Sequence, residues 1–521
     1  MQRKNSLTSQ DTNGDSTLSI GDSHRFRVDK TLVKKFKDMS IEKVKFHKVV
    51  DAYLQILKKQ GIEYKRENSI CPLPEKCGSC PLSHIPYDVQ LSIKSAYVQL
   101  LLNKACPLCS IEDTLIVPSV PNTDYRGRMD YAVDYNGALG LKEKGTWYSI
   151  LGGHTCILPI KSIRQAFDIV NNVFLSHKVH GFDRKAKKGF LSFVVIRGTL
   201  TGEVSINFVF KHSVLLDLYN NNEKQLQKEI KNLLGALNDI VNKVKETGLL
   251  FQGFSFAITK SLREESVGKI VAVYNIDNEE GVFSINKDAL QNEFDIDYSK
   301  LFDKQLNTKR IKPVSTKELE QNIPVVKEVL SGVTYRIAPF SFFQPNMYTA
   351  GILQQLVVFV MQLAGVHKSD KLIKQPHIVL DLFGGVGFLG GYVAKILGYD
   401  VDVVEVDKDA VIQGRTLWHK ENNVQNVNLI HADAYDYQIE DKYATIILDP
   451  PRRGLTKKLI KQLLKLEKLQ NLVYVSCNIK QFAVEFSTHL SNFFDIQEVL
   501  LLDQFPHTEH VETIMLLKKK K

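Results

Sequence analysis

The chain has 521 residues and a mass of 59.2 kDa, too much for one ordinary domain and enough for about three. A hydrophobic fraction of 44% excludes wholesale disorder, and a formal net charge of +10 suits a polyanionic partner without requiring one. The polar start MQRKNSLTSQ lacks a signal-peptide core, and no run of about eighteen uncharged apolar residues occurs, so no membrane span and a cytoplasmic location are expected.

Residues 1–28 read as a polar tail, and residues 29–60 carry a helical apolar pattern through Leu32, Phe36, Val44, Phe46, Val49, Val50, Tyr53, Leu54 and Leu57. This leader, residues 1–70, holds fifteen Lys or Arg against nine Asp or Glu. Such a helix can track phosphates, or it can simply present a solvated face. Cys71, Cys77 and Cys80 follow, then a helical stretch from Tyr87 to Asn103. Short strands are expected over 113–160. Strand-like runs over 190–275 (FLSFVVIRG, EVSINFVFK, FSFAITK, IVAVYNI), with one long helix near 222–246, give an α+β middle domain over 71–330. The stretch 276–325 is charged and uninformative.

From 331 the texture changes. HIVLDLFGGVG (377–387), DVDVVEVD (400–407), NVNLIHAD (426–433), ATIILDP (444–450) and NLVYVSC (471–477) are buried-strand runs separated by helical segments. They predict an α/β fold with a doubly wound sheet over 331–521. Glycines at 384, 385 and 387 stand where the first strand should turn into a helix, and Glu405 and Asp407 end the next strand. That unit holds a nucleoside-containing cofactor, with a carboxylate on the ribose hydroxyls. The loop lacks strict G-x-G-x-x-G spacing, and Asp381 just before it would repel a pyrophosphate, which favours S-adenosylmethionine (SAM) over a dinucleotide. An ordinary strand–helix turn is the bland alternative.

Three further segments sharpen the reading. Asp449-Pro450-Pro451-Arg452-Arg453-Gly454 ends a strand in a carboxylate and a stiff loop. Ser476-Cys477-Asn478 puts a cysteine past a buried strand, at the edge where doubly wound folds bind ligands; a buried structural cysteine is the commoner fate of such a residue. Asp503 to Glu512 offers a base near the C-terminus. With Phe342-x-Gln344-x-Asn346 and the loop at 380–387, these motifs resemble, in order, those of the RNA 5-methyluridine methyltransferases. The resemblance covers nearly all of 331–521 and implies a Rossmann-like SAM-dependent methyltransferase domain. By resemblance Cys477 is the nucleophile that attacks uracil C6, and Glu512 the base that removes the C5 proton. Gln344 and Asp449 look like residues holding the uracil edge and SAM, Glu405 like the ribose ligand, Phe383, Gly385 and Gly387 like the cofactor loop, and Asp433 like an adenine contact. The family's usual cysteine in the loop is Gly384 here, and Phe388 stands where a small polar residue often follows.

The remaining cysteines admit two metal readings. Cys77, Cys80, Cys106 and Cys109 have the spacing of a tetrahedral zinc site. Cys71, Cys77, Cys80 and Cys156, with Tyr125-Arg126-Gly127-Arg128-Met129 between the third and fourth, resemble the [4Fe–4S] ligands that several family members carry. The iron–sulfur set is favoured, as a structural cluster in the middle domain. It tilts the expected substrate towards 23S rRNA. A uridine of the tRNA T-loop and a non-catalytic RNA-binding protein are the alternatives. The β-barrel that opens some relatives has no counterpart in residues 1–70. A monomer with no membrane partner is expected.

Overall fold

The computed structural model describes residues 24–520 apart from 108, 110, 155, 262, 278, 279, 298–310 and 368–377. Most of the expected tail therefore lies outside the described residues. In chain order the strands are β1 (His24–Arg27), β2 (Asp113–Val117), β3 (Arg128–Val133), β4 (Leu139–Lys142), β5 (Ile150–Gly152), β6 (Leu191–Gly198), β7 (Glu203–Lys211), β8 (Leu250–Thr259), β9 (Lys269–Asp277), β10 (Glu280–Asn286) and β11 (Ile311–Val314). A hairpin follows, β12 (Val326–Leu330) and β13 (Val333–Ile337), then β14 (Ile378–Leu382), β15 (Asp400–Glu405), β16 (Val427–His431), β17 (Thr445–Leu448), β18 (Asn471–Ser476), β19 (Phe494–Leu502) and β20 (Glu512–Lys519).

Apart from the hairpin they form two nine-stranded sheets. One runs β1-β2-β19-β20-β18-β17-β14-β15-β16. Its centre, β14 to β18, is parallel, and β20 runs antiparallel to β18 and β19. β14, β17 and β18 are apolar because both faces are covered, as a parallel sheet requires. The order reverses between β14 and β17, and ligands bind at the carboxyl ends of strands at such a switch point. Helices Ala350–Leu363, Gly390–Leu397 and Lys408–Arg415 lie on one face. Helices Lys457–Lys465 and Ile479–Glu485 cover the other, together with Lys30–Phe36, Phe46–Lys59 and Tyr87–Ala105 from the N-terminal part.

The sheet thus recruits chain from far upstream, which local pattern does not foretell. Residues 24–27, read as tail, form edge strand β1 against β2. The helical stretch read over 29–60 is two helices with a tight turn at Ile41–Lys43 between them. Helix Tyr87–Ala105 is buried almost all round, and its polar side chains Gln90, Lys94, Ser95 and Gln99 are fully enclosed.

The second sheet, β11-β10-β9-β8-β7-β6-β3-β4-β5, is mostly antiparallel and packs one face on helices Lys161–His177 and Glu223–Glu246. The change of texture at 331 falls on the turn of the β12–β13 hairpin. There Ser331 (φ 50°) and Gly332 (φ 71°) take the left-handed conformation that two-residue hairpin turns need. The hairpin packs into the core of the C-terminal sheet through Val326, Leu330, Val333, Tyr335 and Ile337. Cys106 and Cys109, offered to zinc by their spacing, are bonded to each other at the end of helix Tyr87–Ala105. That pairing overturns the zinc reading, because its two distal ligands are consumed. No helix among the described residues is long and apolar enough to cross a membrane.

Candidate active site

A cavity of about 1070 Å³ opens over the carboxyl ends of β14, β15 and β17 and runs under the loop before helix Ala350–Leu363. Gln344, Phe383, Gly385, Glu405, Asp433, Asp449, Cys477 and Glu512 all line it. Gly387 does not. A Cβ at Gly387 would meet Trp418 Nε1 at 2.7 Å, so this glycine seats the loop on the indole behind it rather than facing a ligand. The Trp418 Nε1–H donates to the Val386 carbonyl at 2.8 Å.

The loop geometry explains its glycines. Gly385 has φ 57°, and its Cβ direction is open space, so backbone there can be approached closely by a ligand. The Gly385 N–H donates to Glu405 Oε2 at 2.9 Å, and the Asp407 N–H to Glu405 Oε1 at 2.8 Å. Glu405 is thereby fixed at the end of β15, with lone pairs left for two ribose hydroxyls. Asp381 is fully buried, and its Oδ2 accepts the Gly390 N–H at 2.9 Å, which anchors the start of helix Gly390–Leu397. Burial pushes the Asp381 carboxyl up to about 8, with Asp449 and Glu405 adding to it. The structure gives Asp381 a structural part instead of the foreseen rejection of a pyrophosphate, because a buried carboxyl raised in this way is largely uncharged at neutral pH.

Cys477, Asp449 and Glu512 meet where β18, β17 and β20 end side by side. Burial, then the Glu512 and Asp449 carboxylates, push the Cys477 thiol up to about 11, and Arg452 opposes them. Burial raises Asp449 to about 7 and holds Glu512 well above the usual carboxylate range, with Asp449 adding to the latter. Two carboxylates close together in a shielded site each raise the other's proton affinity, because both cannot easily carry charge there. The arrangement offers a nucleophile, a proton acceptor and a cation, Arg452, in one place.

Distant segments hold these groups. The Asn346 side chain donates to Ser119 Oγ at 2.8 Å and the Gln504 carbonyl at 3.2 Å, and accepts the N–H groups of Tyr348 and Thr349. The Gly127 N–H donates to the Pro345 carbonyl at 3.0 Å, and Arg128 and Arg197 donate to the carbonyls of Phe340 and Ser341. The middle sheet therefore positions Gln344. The loop before Glu512 is gripped by helix Tyr87–Ala105. Lys94 Nζ reaches Asp503 Oδ1 at 2.6 Å and the Phe505 carbonyl at 2.9 Å, with Lys94 and Asp503 both fully buried. The His507 N–H donates to Gln90 Oε1 at 2.9 Å. Sequence reasoning missed Lys94 and Gln90; polar residues four apart inside an otherwise apolar helix were the available signal.

A family model described as tRNA (Uracil-5-)-methyltransferase matches residues 210–520. The chain belongs to that family. It is a SAM-dependent RNA (uracil-C5)-methyltransferase with a Rossmann-like catalytic domain. The tRNA (uracil(54)-C(5))-methyltransferase of Pyrococcus horikoshii is 28% identical over 481 residues, 92% of each chain. The crystal structure of the Pyrococcus abyssi tRNA (uracil-54, C5)-methyltransferase in complex with S-adenosyl-L-homocysteine superposes with a TM-score of 0.57 at 26% identity, covering 85% of this chain and 86% of that one. The 23S rRNA (uracil(747)-C(5))-methyltransferase of P. abyssi is 34% identical, but over 41% of this chain and 47% of its own.

In this methyltransferase Cys71, Cys77, Cys80 and Cys156 are free thiols, none of them in a disulfide. They lie within electrostatic range of one another: burial first, then the Cys156, Cys71 and Cys77 sulfurs, push the Cys80 thiol up to about 12. Cys80 and Cys156 share an apolar niche with Tyr125 and Leu158. No group of three or more His, Cys, Asp or Glu among the described residues is drawn into metal-holding geometry.

Proposed function

We propose that this enzyme methylates C5 of a tRNA uridine, the one equivalent to position 54, through a covalent bond between Cys477 and uracil C6. The carrying observation is Cys477, Asp449 and Glu512 converging in one cavity with Gln344 and the glycine loop. Relatives that match over most of both chains bear tRNA names, whereas those with 23S rRNA names match less than half of the chain. That length argument outweighs the pull of the cysteines towards 23S rRNA.

Glu405 and Asp433 hold the ribose and adenine of SAM, Phe383 and Gly385 its loop side, and Gln344 and Asp449 the polar edge of the uracil. SAM supplies the methyl group. The Cys477 thiol first loses its proton to solvent; the thiolate attacks C6, the electron pair moves to C5, and C5 takes the methyl as S-adenosylhomocysteine leaves. The Glu512 carboxylate accepts the C5 proton, the C5–C6 double bond re-forms, and the Cys477 thiolate departs. Burial raises the proton affinity of Asp449 and Glu512, which makes the ionised Glu512 a stronger base than an exposed carboxylate.

Cys71, Cys77, Cys80 and Cys156 are the residues that would hold a structural [4Fe–4S] cluster. The support is that all four are free thiols, the donor chemistry such clusters take, with Cys80 and Cys156 in one apolar niche and Cys71 and Cys77 within electrostatic reach of Cys80. Thiol ligation would close as the metal binds. Anaerobically purified protein is expected to be brown, with iron and acid-labile sulfide. Colourless protein without iron would overturn the assignment.

The function is tested with tRNA and 23S rRNA-fragment transcripts and methyl-labelled SAM. Label is expected in the tRNA at the T-loop uridine. Label in the rRNA fragment alone would reverse the choice of substrate. Cys477→Ala should abolish transfer, and Glu512→Gln should leave an RNA–protein adduct on a denaturing gel.

A further inference from the structure

The two tryptophans have opposite surroundings. Trp418 is fully buried, while Trp147 is 60% exposed and its neighbour Tyr148 40% exposed. Their rings meet edge to face, with centroids 5.6 Å apart. Leaving an indole and a phenol in water forfeits hydrophobic free energy, and the loop that does so is tightly braced. The Glu143 N–H donates to the Ser149 carbonyl at 3.0 Å, and Ser149 Oγ donates to the Glu143 carboxylate at 2.6 Å. The Lys144 N–H donates to the Lys76 carbonyl at 2.7 Å, tying the loop to the cysteine segment. From a neighbouring loop Lys185 Nζ lies 3.7 Å over the Tyr148 ring. That loop is itself closed by the Asp183 carboxylate, which accepts the Lys185 and Ala186 N–H groups.

Charge and placement point the same way. Lys144 in the aromatic loop, and Lys185, Lys187 and Lys188 in the loop that Lys185 brings against Tyr148, are all exposed. Ile150, three residues after Trp147, packs with Phe340 on the face of the middle sheet turned away from its helices. Phe340 in turn lines the methylation cavity. The strand that follows the two rings is therefore linked to the cavity through Phe340.

We infer that Trp147 and Tyr148 form a stacking platform for an unpaired base of the RNA substrate, outside the cavity, with the surrounding lysines on the flanking phosphates. The inference rests on RNA being the substrate. Every base has a π-face, and aromatic rings interleaved with cations are how proteins hold unstacked nucleotides. A uridine presented to a buried thiol must leave its stack, and its displaced neighbours then need a surface. A protein partner would need a wider apolar patch than two rings ringed by lysines.

The test uses the full chain and an unmodified tRNA transcript. Because Trp418 is buried, quenching of tryptophan fluorescence on RNA addition reads Trp147. The wild type is expected to quench, and Trp147→Phe to lose that signal while keeping near-wild-type RNA affinity. Trp147→Ala should raise the KM for RNA by about tenfold to a hundredfold, with kcat and the KM for SAM unchanged. A transcript that binds without quenching Trp147 would overturn the platform, whether or not it is methylated. So would an unaltered KM in Trp147→Ala alongside a raised KM in a Lys185→Gln/Lys187→Gln variant, which would leave charge alone. Absence of methyl transfer from the wild type to any RNA would instead refute the enzymatic reading, a separate outcome.

Discussion

At the scale of single residues, the site is governed by carboxylates that burial has made reluctant to ionise. The Cys477 thiol is pushed up to about 11, and only its thiolate is nucleophilic. Alkylation of Cys477 by iodoacetamide, followed by peptide mass spectrometry, should therefore accelerate steadily from pH 7 to 10. At alkaline pH, Glu512→Gln should speed it several-fold, because an anion opposing the thiolate is gone. An unchanged rate would mean that burial alone sets the thiol. Asp381 gives a second expectation. An unfolded aspartate titrates near about 4, but the folded carboxyl is raised to about 8. Between those values the native chain keeps a proton that the unfolded chain releases, so stability falls as pH rises through that window. Asp381→Asn should flatten the loss of Tm between pH 5 and 8.5, since the amide oxygen still accepts the Gly390 N–H. An equally steep fall would assign the slope to other groups.

At the scale of elements, the cofactor loop is shaped from behind. Gly387 and Gly391 are the positions where backbone passes the Trp418 ring. A Cβ at Gly391 would sit 2.0 Å from Trp418 Cε2. Overpacking of a close-packed core costs about 1–3 kcal/mol, and a direct clash with a rigid indole belongs at the upper end. Gly391→Ala is expected to lower Tm and weaken SAM binding measured by calorimetry, although residue 391 is outside the cavity lining. Unaltered SAM affinity would show that the loop keeps its form without the indole. The glycine spacing that fits no dinucleotide fingerprint has this packing as its cause. It was visible as spacing, but its reason was not, because Trp418 comes twenty-seven residues after Gly391.

At the scale of the whole molecule, the catalytic end is assembled by chain from the other end. Lys94 and Asp503 are 409 residues apart and form a fully buried pair at 2.6 Å beneath the loop that leads to Glu512. Removing one partner of such a pair leaves an uncompensated charge, which costs about 3–5 kcal/mol. Lys94→Met should lower stability by that order in urea denaturation and depress kcat, though Lys94 does not itself line the cavity and reaches it only through the Phe505 carbonyl. A stable variant with wild-type kcat would separate the N-terminal helix from the chemistry. The basic leader needs no separate function to account for its helices: Leu32, Phe36, Val49 and Val50 pack into the core of the catalytic sheet.

The sequence by itself determined the catalytic half. Buried parallel strands are continuous apolar runs, and the residues that meet a ligand stand at their carboxyl ends, so chain order alone located Glu405, Asp433, Asp449 and Cys477. It also determined the strands β6 to β9 of the middle domain, whose alternation and turns are local, but not β10 and β11, which lie in the stretch that carried no readable pattern. Tertiary structure alone decided the rest. It added β1 and β2 to the catalytic sheet, paired Cys106 with Cys109, brought Cys80 beside Cys156, turned Gly387 towards Trp418, and set Lys94 under Asp503. Each depends on which distant segments share an interior, and burial and pairing between residues so far apart leave no periodicity in either one.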